Sequence, residues 1–328
     1  MEKIDFQTVS TNGINVRLAT IGEGPLVIFC HGWPESWYSY RHQLPALAEE
    51  GFKAVAYDVR GYGESDKPHP IKEYTMLNMV ADVIGIVKAL GYENAITVGH
   101  DWGGPIALTT AALHPEVISA TGTMSVPYMA RGPMPAIDLW KEIYKDKFFY
   151  QLYFQEEGVA EAEFEADLQR FLRLCYINSD GRGMARASEK IMSSVSPQKG
   201  PDSTFLEGME DFDELPDWLS QDDIDYFVSQ FEISGMRGPL NRYRAQNIDW
   251  NELSHLPKTI SQPAFFITGS LDPVNFFVPS EQNLIDRIGS NYDNLLIAEE
   301  LEGIGHWTQQ EAPEKVNKII LDFLKKLD

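Results

Sequence analysis

The sequence predicts an α/β fold, a mostly parallel, twisted sheet covered by helices on both faces and interrupted by a long helical insertion. Three observations predict it. Short apolar runs alternate with helical patterns over roughly the first 126 residues and again from about residue 257. Between them the alternation stops and the chain reads as helix alone. Near the middle of the first part, a strand-like run passes through the glycine-flanked turn Gly99-His100-Asp101-Trp102-Gly103-Gly104 directly into a helix-forming run, Pro105-Ile106-Ala107-Leu108.

In order, the expected strands are Phe6 to Ser10, Ile14 to Ile21, Leu26 to Cys30, Phe52 to Tyr57, Ala95 to Val98, Ile118 to Met124, Ala264 to Thr268 and Leu295 to Glu300. The first two are expected to form a hairpin around Thr11-Asn12-Gly13, a turn signal. Helical patterns cover Ile137 to Gln155, Val159 to Cys175 and Ala312 to Leu327. An all-helical piece placed inside an interrupted sheet is most economically a lid. The expected organisation is therefore a core of residues 1–126, a helical cap of residues 127–256 and the second part of the core, residues 257–328.

Composition narrows the function classes. A chain of 328 residues, 43% hydrophobic and 12% aromatic, can bury a large core. The first residues, Met1-Glu2-Lys3-Ile4-Asp5-Phe6, have neither a basic nor an apolar leader region, and no apolar run approaches the ~20 residues that span a bilayer. A cytoplasmic protein is expected. The net charge of −22 repels phosphate backbones and anionic lipid, so neither nucleic acid nor a membrane surface is an expected partner. Much of that charge lies between Lys199 and Arg237, where acidic residues accumulate without a basic one, as on a solvated surface. Cys30 and Cys175 offer neither a disulfide framework nor metal-ligand spacing and read as core thiols.

The turn at Asp101 carries the chemistry. A strand, a tight turn with glycine on both sides and a helix make the nucleophile elbow of an α/β-hydrolase, which normally reads Gly-x-Ser-x-Gly. Here aspartate stands where serine would. Serine attacks acyl carbon, whereas a carboxylate can displace a leaving group from sp³ carbon and become an alkyl ester. The competing local reading is that Asp101 only caps the helix that follows it.

Chain order locates the partners, since α/β-hydrolases place nucleophile, acid and histidine in that sequence. His306, in Gly303-Ile304-Gly305-His306-Trp307, follows the last expected strand and precedes the C-terminal helical pattern. The expected acid is Asp272, in Thr268-Gly269-Ser270-Leu271-Asp272-Pro273. No acidic residue closely follows Met124, which disfavours an acid after the preceding strand. An oxyanion hole requires two donors. The backbone N–H of Trp102, next to the nucleophile, and that of Trp33, in His31-Gly32-Trp33-Pro34, are the candidates. The Trp33-Pro34 bond is a candidate for the cis form.

These residues resemble the α/β-hydrolase-fold epoxide hydrolases of the soluble mammalian, plant and bacterial type. The resemblance runs through almost the whole chain. It includes His31-Gly32-Trp33-Pro34, the Asp58-Val59-Arg60-Gly61-Tyr62-Gly63-Glu64-Ser65-Asp66 loop, the aspartate elbow and Gly305-His306-Trp307-Thr308-Gln309. The segments from Tyr150 to Gly158 and from Ser234 to Arg244 look especially like those enzymes. The resemblance implies an epoxide as the small-molecule substrate, a vicinal diol as product and a detoxifying activity without a metal or organic cofactor. It also implies two cap tyrosines that donate to the epoxide oxygen, at Tyr150 and Tyr243, with Tyr153 close enough to keep the first assignment open. Because the chain opens directly on the hydrolase segment, the extra phosphatase domain of the mammalian proteins is expected to be absent.

Two other readings remain in view. A haloalkane dehalogenase shares the aspartate elbow and the ester, but needs halide-stabilising donors such as indole N–H groups, which Trp102 could supply. A non-catalytic ligand receptor on the same scaffold could dispense with nucleophile, acid or histidine. All three are present.

Overall fold

The computed structural model describes residues 3–192, 199–277 and 284–327. Residues 193–198 of the expected cap and 278–283 of the expected second core part lie outside the described residues. Among the described residues, eight strands form one sheet in the order β1-β2-β4-β3-β5-β6-β7-β8. These are β1 (Asp5–Thr11), β2 (Ile14–Ile21), β3 (Leu26–Cys30), β4 (Lys53–Tyr57), β5 (Ala95–His100), β6 (Ile118–Met124), β7 (Ala264–Gly269) and β8 (Leu295–Leu301). β2 is antiparallel to both of its neighbours, and every other pair is parallel. The expected strands are present, several of them extended by a residue at an end.

Side-chain alternation splits the core into two layers. Val27, Phe29, Ala54 and Ala56 pack on one face against α1 (Gln43–Glu49) and the C-terminal helix Pro313–Leu324. Leu26, Ile28, Cys30, Val55 and Tyr57 pack on the other against α2 (Met76–Ala89) and α3 (Gly103–Leu113). The chain runs from β3 to β4 on one side and then returns to place β5 on the other. A parallel sheet opens a crevice at the carboxyl ends of its strands where the winding direction reverses. Here that crevice lies between β3 and β5, and the loops leaving these strands carry His31-Gly32-Trp33-Pro34 and Asp101.

Between β6 and β7 the described residues hold helices: α4 (Ala136–Ile143), α5 (Tyr150–Tyr153), α6 (Val159–Glu165), α7 (Leu168–Ser179), α8 (Gly181–Met192), α9 (Gln221–Ser234), α10 (Arg237–Arg244) and α11 (Gln246–Glu252). Three phenylalanines from this segment, Phe154, Phe164 and Phe171, pack on Trp33 with ring centroids 5.0, 6.0 and 5.8 Å away. The helices thus lie over the carboxyl edge of the sheet. The buried bidentate pair Arg244–Glu161 ties these helices to one another, and Asp249 joins them to the sheet part by accepting the Met76 N–H at 2.6 Å.

Several helix limits differ from the periodicity reading. The single helix expected over Ile137 to Gln155 is broken: α4 ends at Ile143, the Phe148 N–H donates to the Lys199 carbonyl at 3.1 Å, and Phe149 is extended. The helix expected over Val159 to Cys175 is interrupted before Leu168, where the Asp167 side chain accepts the Arg170 N–H at 2.9 Å and caps a new helix. After α12 (Leu284–Ile288) and α13 (Thr308–Glu311), the last helix, α14, is Pro313–Leu324 and starts on proline, whose missing N–H costs nothing at that position. Apolar spacing continued through each break because both flanking helices bury the same kind of face. Among the described residues no helix is long and apolar enough to cross a membrane.

The elbow depends on close backbone contact between α3 and β3. A Cβ at Gly103 would lie 1.7 Å from the Cys30 carbonyl oxygen. Gly103→Ala is therefore expected to destabilise the protein by about 3 kcal/mol or more, the upper range for overpacking a rigid site. Equilibrium urea denaturation followed by circular dichroism measures it.

Candidate active site

Asp101 sits on the turn between β5 and α3 with φ of 48°, in the left-handed region that is uncommon for residues other than glycine. Its side chain does not cap the helix, because the cap position of α3 falls on Trp102 and makes no side-chain hydrogen bond. Asp101 Oδ1 instead accepts the Trp33 backbone N–H at 2.8 Å. The Trp102 N–H also stabilises the carboxylate. The two donors named from the sequence therefore converge on Asp101. Glycine is required at position 32, since a Cβ there would stand 2.4 Å from Asp101 Oδ1. The Trp33-Pro34 peptide is cis.

His306 and Asp272 come from loops at the same edge of the sheet. His306 Nδ1 lies 3.1 Å from Asp272 Oδ1, and its Nε2 faces Asp101 Oδ2 at 3.7 Å, an ion-pair distance too long for a direct hydrogen bond. Asp101 and His306 are each 7% exposed and Asp272 is fully buried. Burial opposes the imidazolium, but the charge and hydrogen bond of Asp272, together with the Asp101 charge, outweigh it and push His306 up to about 9. Burial also raises Asp272, yet the His306 charge and hydrogen bond win and hold it below the usual carboxylate range. For Asp101 the balance is reversed. Burial lifts it above that range despite the charges of His306 and His100 and the two N–H donors, leaving a more basic carboxylate.

Four supporting residues were not singled out from the sequence. Ser125, directly after β6, lies where an alternative acid could have stood; it is buried, has φ of 72° and places Oγ 3.2 Å from His306 Nδ1. Glu311 clamps the histidine loop, its carboxylate accepting the N–H groups of Gly305 at 3.0 Å and Trp307 at 2.9 Å. Glu35 is completely buried and accepts from the Gly32 N–H at 2.9 Å, His100 Nδ1 at 2.7 Å and Gln309 Nε2 at 3.0 Å. The other ring nitrogen of His100 contacts the His306 carbonyl at 2.6 Å.

A carboxylate and a carbonyl can only accept, so both nitrogens of His100 carry hydrogen and the ring is an imidazolium. Burial works against the Glu35 charge, but His100 and the other donors bring its carboxyl down to about 2. The only local hint was position, since Glu35 stands in the loop after β3 and His100 next to Asp101. Their pairing is a contact between residues 65 apart in the chain.

A two-lobed cavity opens beside these groups. Asp101, Tyr150, Val274 and Phe277 line both lobes. The larger, about 340 Å³, is walled by Trp33, Phe148, Phe205 and Trp307 and reaches Tyr243 and His306. The smaller, about 190 Å³, runs past Trp102, Trp140, Gln151 and Gln246 to Arg287. The rings of Tyr150 and Tyr243 lie 5.8 Å apart, nearly perpendicular, and burial raises both phenols far above their usual range, so both are neutral donors at physiological pH. The hydroxyl of Tyr153 points elsewhere and donates to Glu163 at 2.9 Å. Geometry thus brings Tyr150 rather than Tyr153 to Asp101. Trp102 packs edge-on against Tyr243 at 5.3 Å, with the Arg242 guanidinium over its ring at 4.9 Å. Both cysteines are buried thiols, with Cys175 in the wall of the larger lobe. Among the described residues no group of three or more His, Cys, Asp or Glu is arranged to hold a metal ion.

Comparison with known proteins agrees on one family. Residues 25–277 match the family described as alpha/beta hydrolase fold. The chain is 37% identical over 323 residues to epoxide hydrolase A of Mycobacterium tuberculosis, covering 98% of this chain and 97% of that relative. It is also 37% identical over 331 residues to epoxide hydrolase 2 of Siraitia grosvenorii, covering 99% and 100%. Among solved structures, an epoxide hydrolase from an endophytic Streptomyces superposes with a TM-score of 0.91 at 41% identity, over 99% of this chain and 96% of that one.

The charge balance at His306 yields a test. Asp101 and Asp272 both stabilise the imidazolium, so removing either charge lowers the histidine pKa. Titration by NMR is expected to place His306 near 9 in the native protein. It should fall in Asp101→Ala, and further in Asp272→Asn, which loses both a charge and a hydrogen-bond acceptor for the charged ring.

Proposed function

The chain belongs to the epoxide hydrolases of the α/β-hydrolase fold, and from that premise we propose that it converts epoxides to vicinal diols through a covalent ester on Asp101. What carries this reading is the different position of the two Asp101 oxygens. Oδ1 is held by the Trp33 N–H, whereas Oδ2 faces His306 beside the cavity. In the first step Oδ2 attacks an oxirane carbon and the carbon–oxygen bond breaks. The electron pair goes to the departing oxygen, which takes a proton from Tyr150 or Tyr243. An alkoxide is a poor leaving group in water, so a donor must meet it as it forms. The helical segment 127–256 acts as the cap that holds both phenols over the core of residues 1–126 and 257–328.

Esterification removes the Asp101 charge, and with it part of what raises His306. The imidazolium then gives up its proton, which restores the phenol, and the neutral ring becomes a base. His306, oriented by Asp272, takes a proton from water. The resulting hydroxide attacks Asp101 Cγ, and negative charge appears on Oδ1, where the Trp33 N–H is already directed. Collapse breaks the ester bond, the alkoxide takes the carboxyl proton, and diol leaves with the carboxylate and imidazolium regenerated. Neither a metal nor an organic cofactor enters these steps, and the expected ligand is a small-molecule epoxide. Halide displacement would use the same carboxylate, but the pair of neutral phenols above it suits a leaving group that needs a proton.

Two experiments test the mechanism. His306→Gln is expected to be alkylated but not released, so intact-protein mass spectrometry should detect an adduct equal in mass to the substrate, absent in Asp101→Ala. An Asp101→Ala variant that still turns over would overturn the covalent route. Replacing both Tyr150 and Tyr243 by Phe should slow alkylation by at least about 10², the scale of general-acid assistance, with a smaller effect on ester hydrolysis. Stopped-flow tryptophan fluorescence with styrene oxide follows the first step. Bromide release from 1-bromobutane, expected to be absent, checks the dehalogenase alternative.

A further inference from the structure

We infer that Gln151, held in orientation by Gln246, is a positioning residue for epoxide opening, one that reserves the Tyr150 proton for the substrate oxygen. The inference rests on the proposed role of Tyr150 as a donor to the oxirane and adds what makes it one. Gln246 Nε2 donates to the Tyr243 backbone carbonyl at 3.1 Å and to Gln151 Oε1 at 3.0 Å. A backbone carbonyl can only accept, so the Gln246 amide can face it only with its nitrogen. The same nitrogen then requires the carbonyl end of Gln151. That leaves the Gln151 amide nitrogen on the other side, where it donates to Tyr150 Oη at 3.1 Å. Gln155 fixes the backbone beneath, its Nε2 donating to the Gln151 carbonyl at 2.7 Å. Gln151 and Gln246 are each only 8% exposed, so water does not readily replace these bonds.

A phenol has one proton to give. With Gln151 donating to its oxygen, Tyr150 cannot spend that proton on Gln151, and Tyr150 lines both lobes of the cavity together with Asp101. As the oxirane carbon–oxygen bond breaks and the Tyr150 proton moves to the departing oxygen, negative charge grows on Tyr150 Oη. The Gln151 N–H is already in place to meet it. Preorganised donors aimed at developing charge lower a barrier because nothing reorganises during the step. The Gln151 bond accordingly acts to lower the Tyr150 pKa, against the much larger effect of burial.

The test is a double-mutant cycle on the full chain with styrene oxide, reading alkylation and ester hydrolysis separately by rapid quench and mass spectrometry. Gln151→Leu is expected to slow alkylation about tenfold, the worth of one hydrogen bond, while changing ester hydrolysis less than about twofold. Gln246→Leu should give a smaller loss, because Gln151 keeps its donor but loses what orients it. In a Tyr150→Phe background Gln151→Leu should cost nothing further. The size-matched Gln151→Glu should lose alkylation at neutral pH, where its carboxylate accepts the Tyr150 proton, and recover as pH falls and the carboxyl can donate again. Equal losses with and without the Tyr150 hydroxyl, or a Gln151→Glu variant with the wild-type pH profile, would overturn the inference. If instead the double variant of Tyr150 and Tyr243 to Phe alkylates at the native rate, the phenol reading itself fails, whatever Gln151 does.

Discussion

Glu35 and His100 form a buried ion pair on which the geometry of the site depends. One carboxylate takes the Gly32 N–H, His100 and Gln309, and the far side of His100 takes the His306 carbonyl. The loop bearing the Trp33 donor, the turn bearing Asp101 and the loop bearing His306 are thereby tied to one another. Fully desolvated charges are costly, and such a pair is tolerable only when its remaining hydrogen-bonding capacity is satisfied. Here two of the satisfying groups, the Gly32 N–H and the His306 carbonyl, are backbone atoms that the site needs held. Ion-pair energy is thus converted into position. Removing either partner would leave the other charge buried without its mate, so the arrangement is closely constrained.

A second buried charge system sits in front of the first. Asp272, His306 and Asp101 share one imidazolium between two carboxylates, with burial pressing on all three. Burial lifts the basicity of Asp101, and the neighbouring carboxylates lift that of His306. In the proposed mechanism the first group is the nucleophile and the second stays protonated until the nucleophile's charge is consumed. The imidazolium of His100 behind the elbow favours the ionised form of Asp101 without contacting the cavity. Glu311, gripping the backbone on both sides of His306, supplies rigidity that the loop sequence does not have by itself.

The sheet, the elbow and the loops that bring Asp101, Asp272 and His306 together were legible along the chain because each is written in local terms. Val27 and Phe29 alternate with Leu26, Ile28 and Cys30, so a strand buried on both faces can be recognised from a few residues. Helix limits were less legible. The breaks at Phe149 and Asp167 arise from a distant carbonyl, Lys199, and from a cap that competes with an uninterrupted apolar stripe. Tyr150 and Tyr153 could not be separated by spacing, since they lie within one helical turn. Their hydroxyls part because Glu163 captures one and Gln151 meets the other.

By itself the sequence determined the local pieces: an aspartate in a strand–turn–helix elbow, a histidine and an acid in later loops, and an acidic chain of net charge −22 that repels phosphate backbones. These follow from residue identity and from periodicities that neighbours impose on one another. Only the tertiary structure decided which oxygen of Asp101 is held by the Trp33 N–H and which faces His306. It also decided that Ser125 stands beside His306 and which tyrosine lines the cavity with Asp101. Those outcomes depend on contacts between residues tens to hundreds of positions apart, such as His100 with His306 or Gln246 with Gln151. Their strength comes from burial, a property that no residue possesses until the chain has folded.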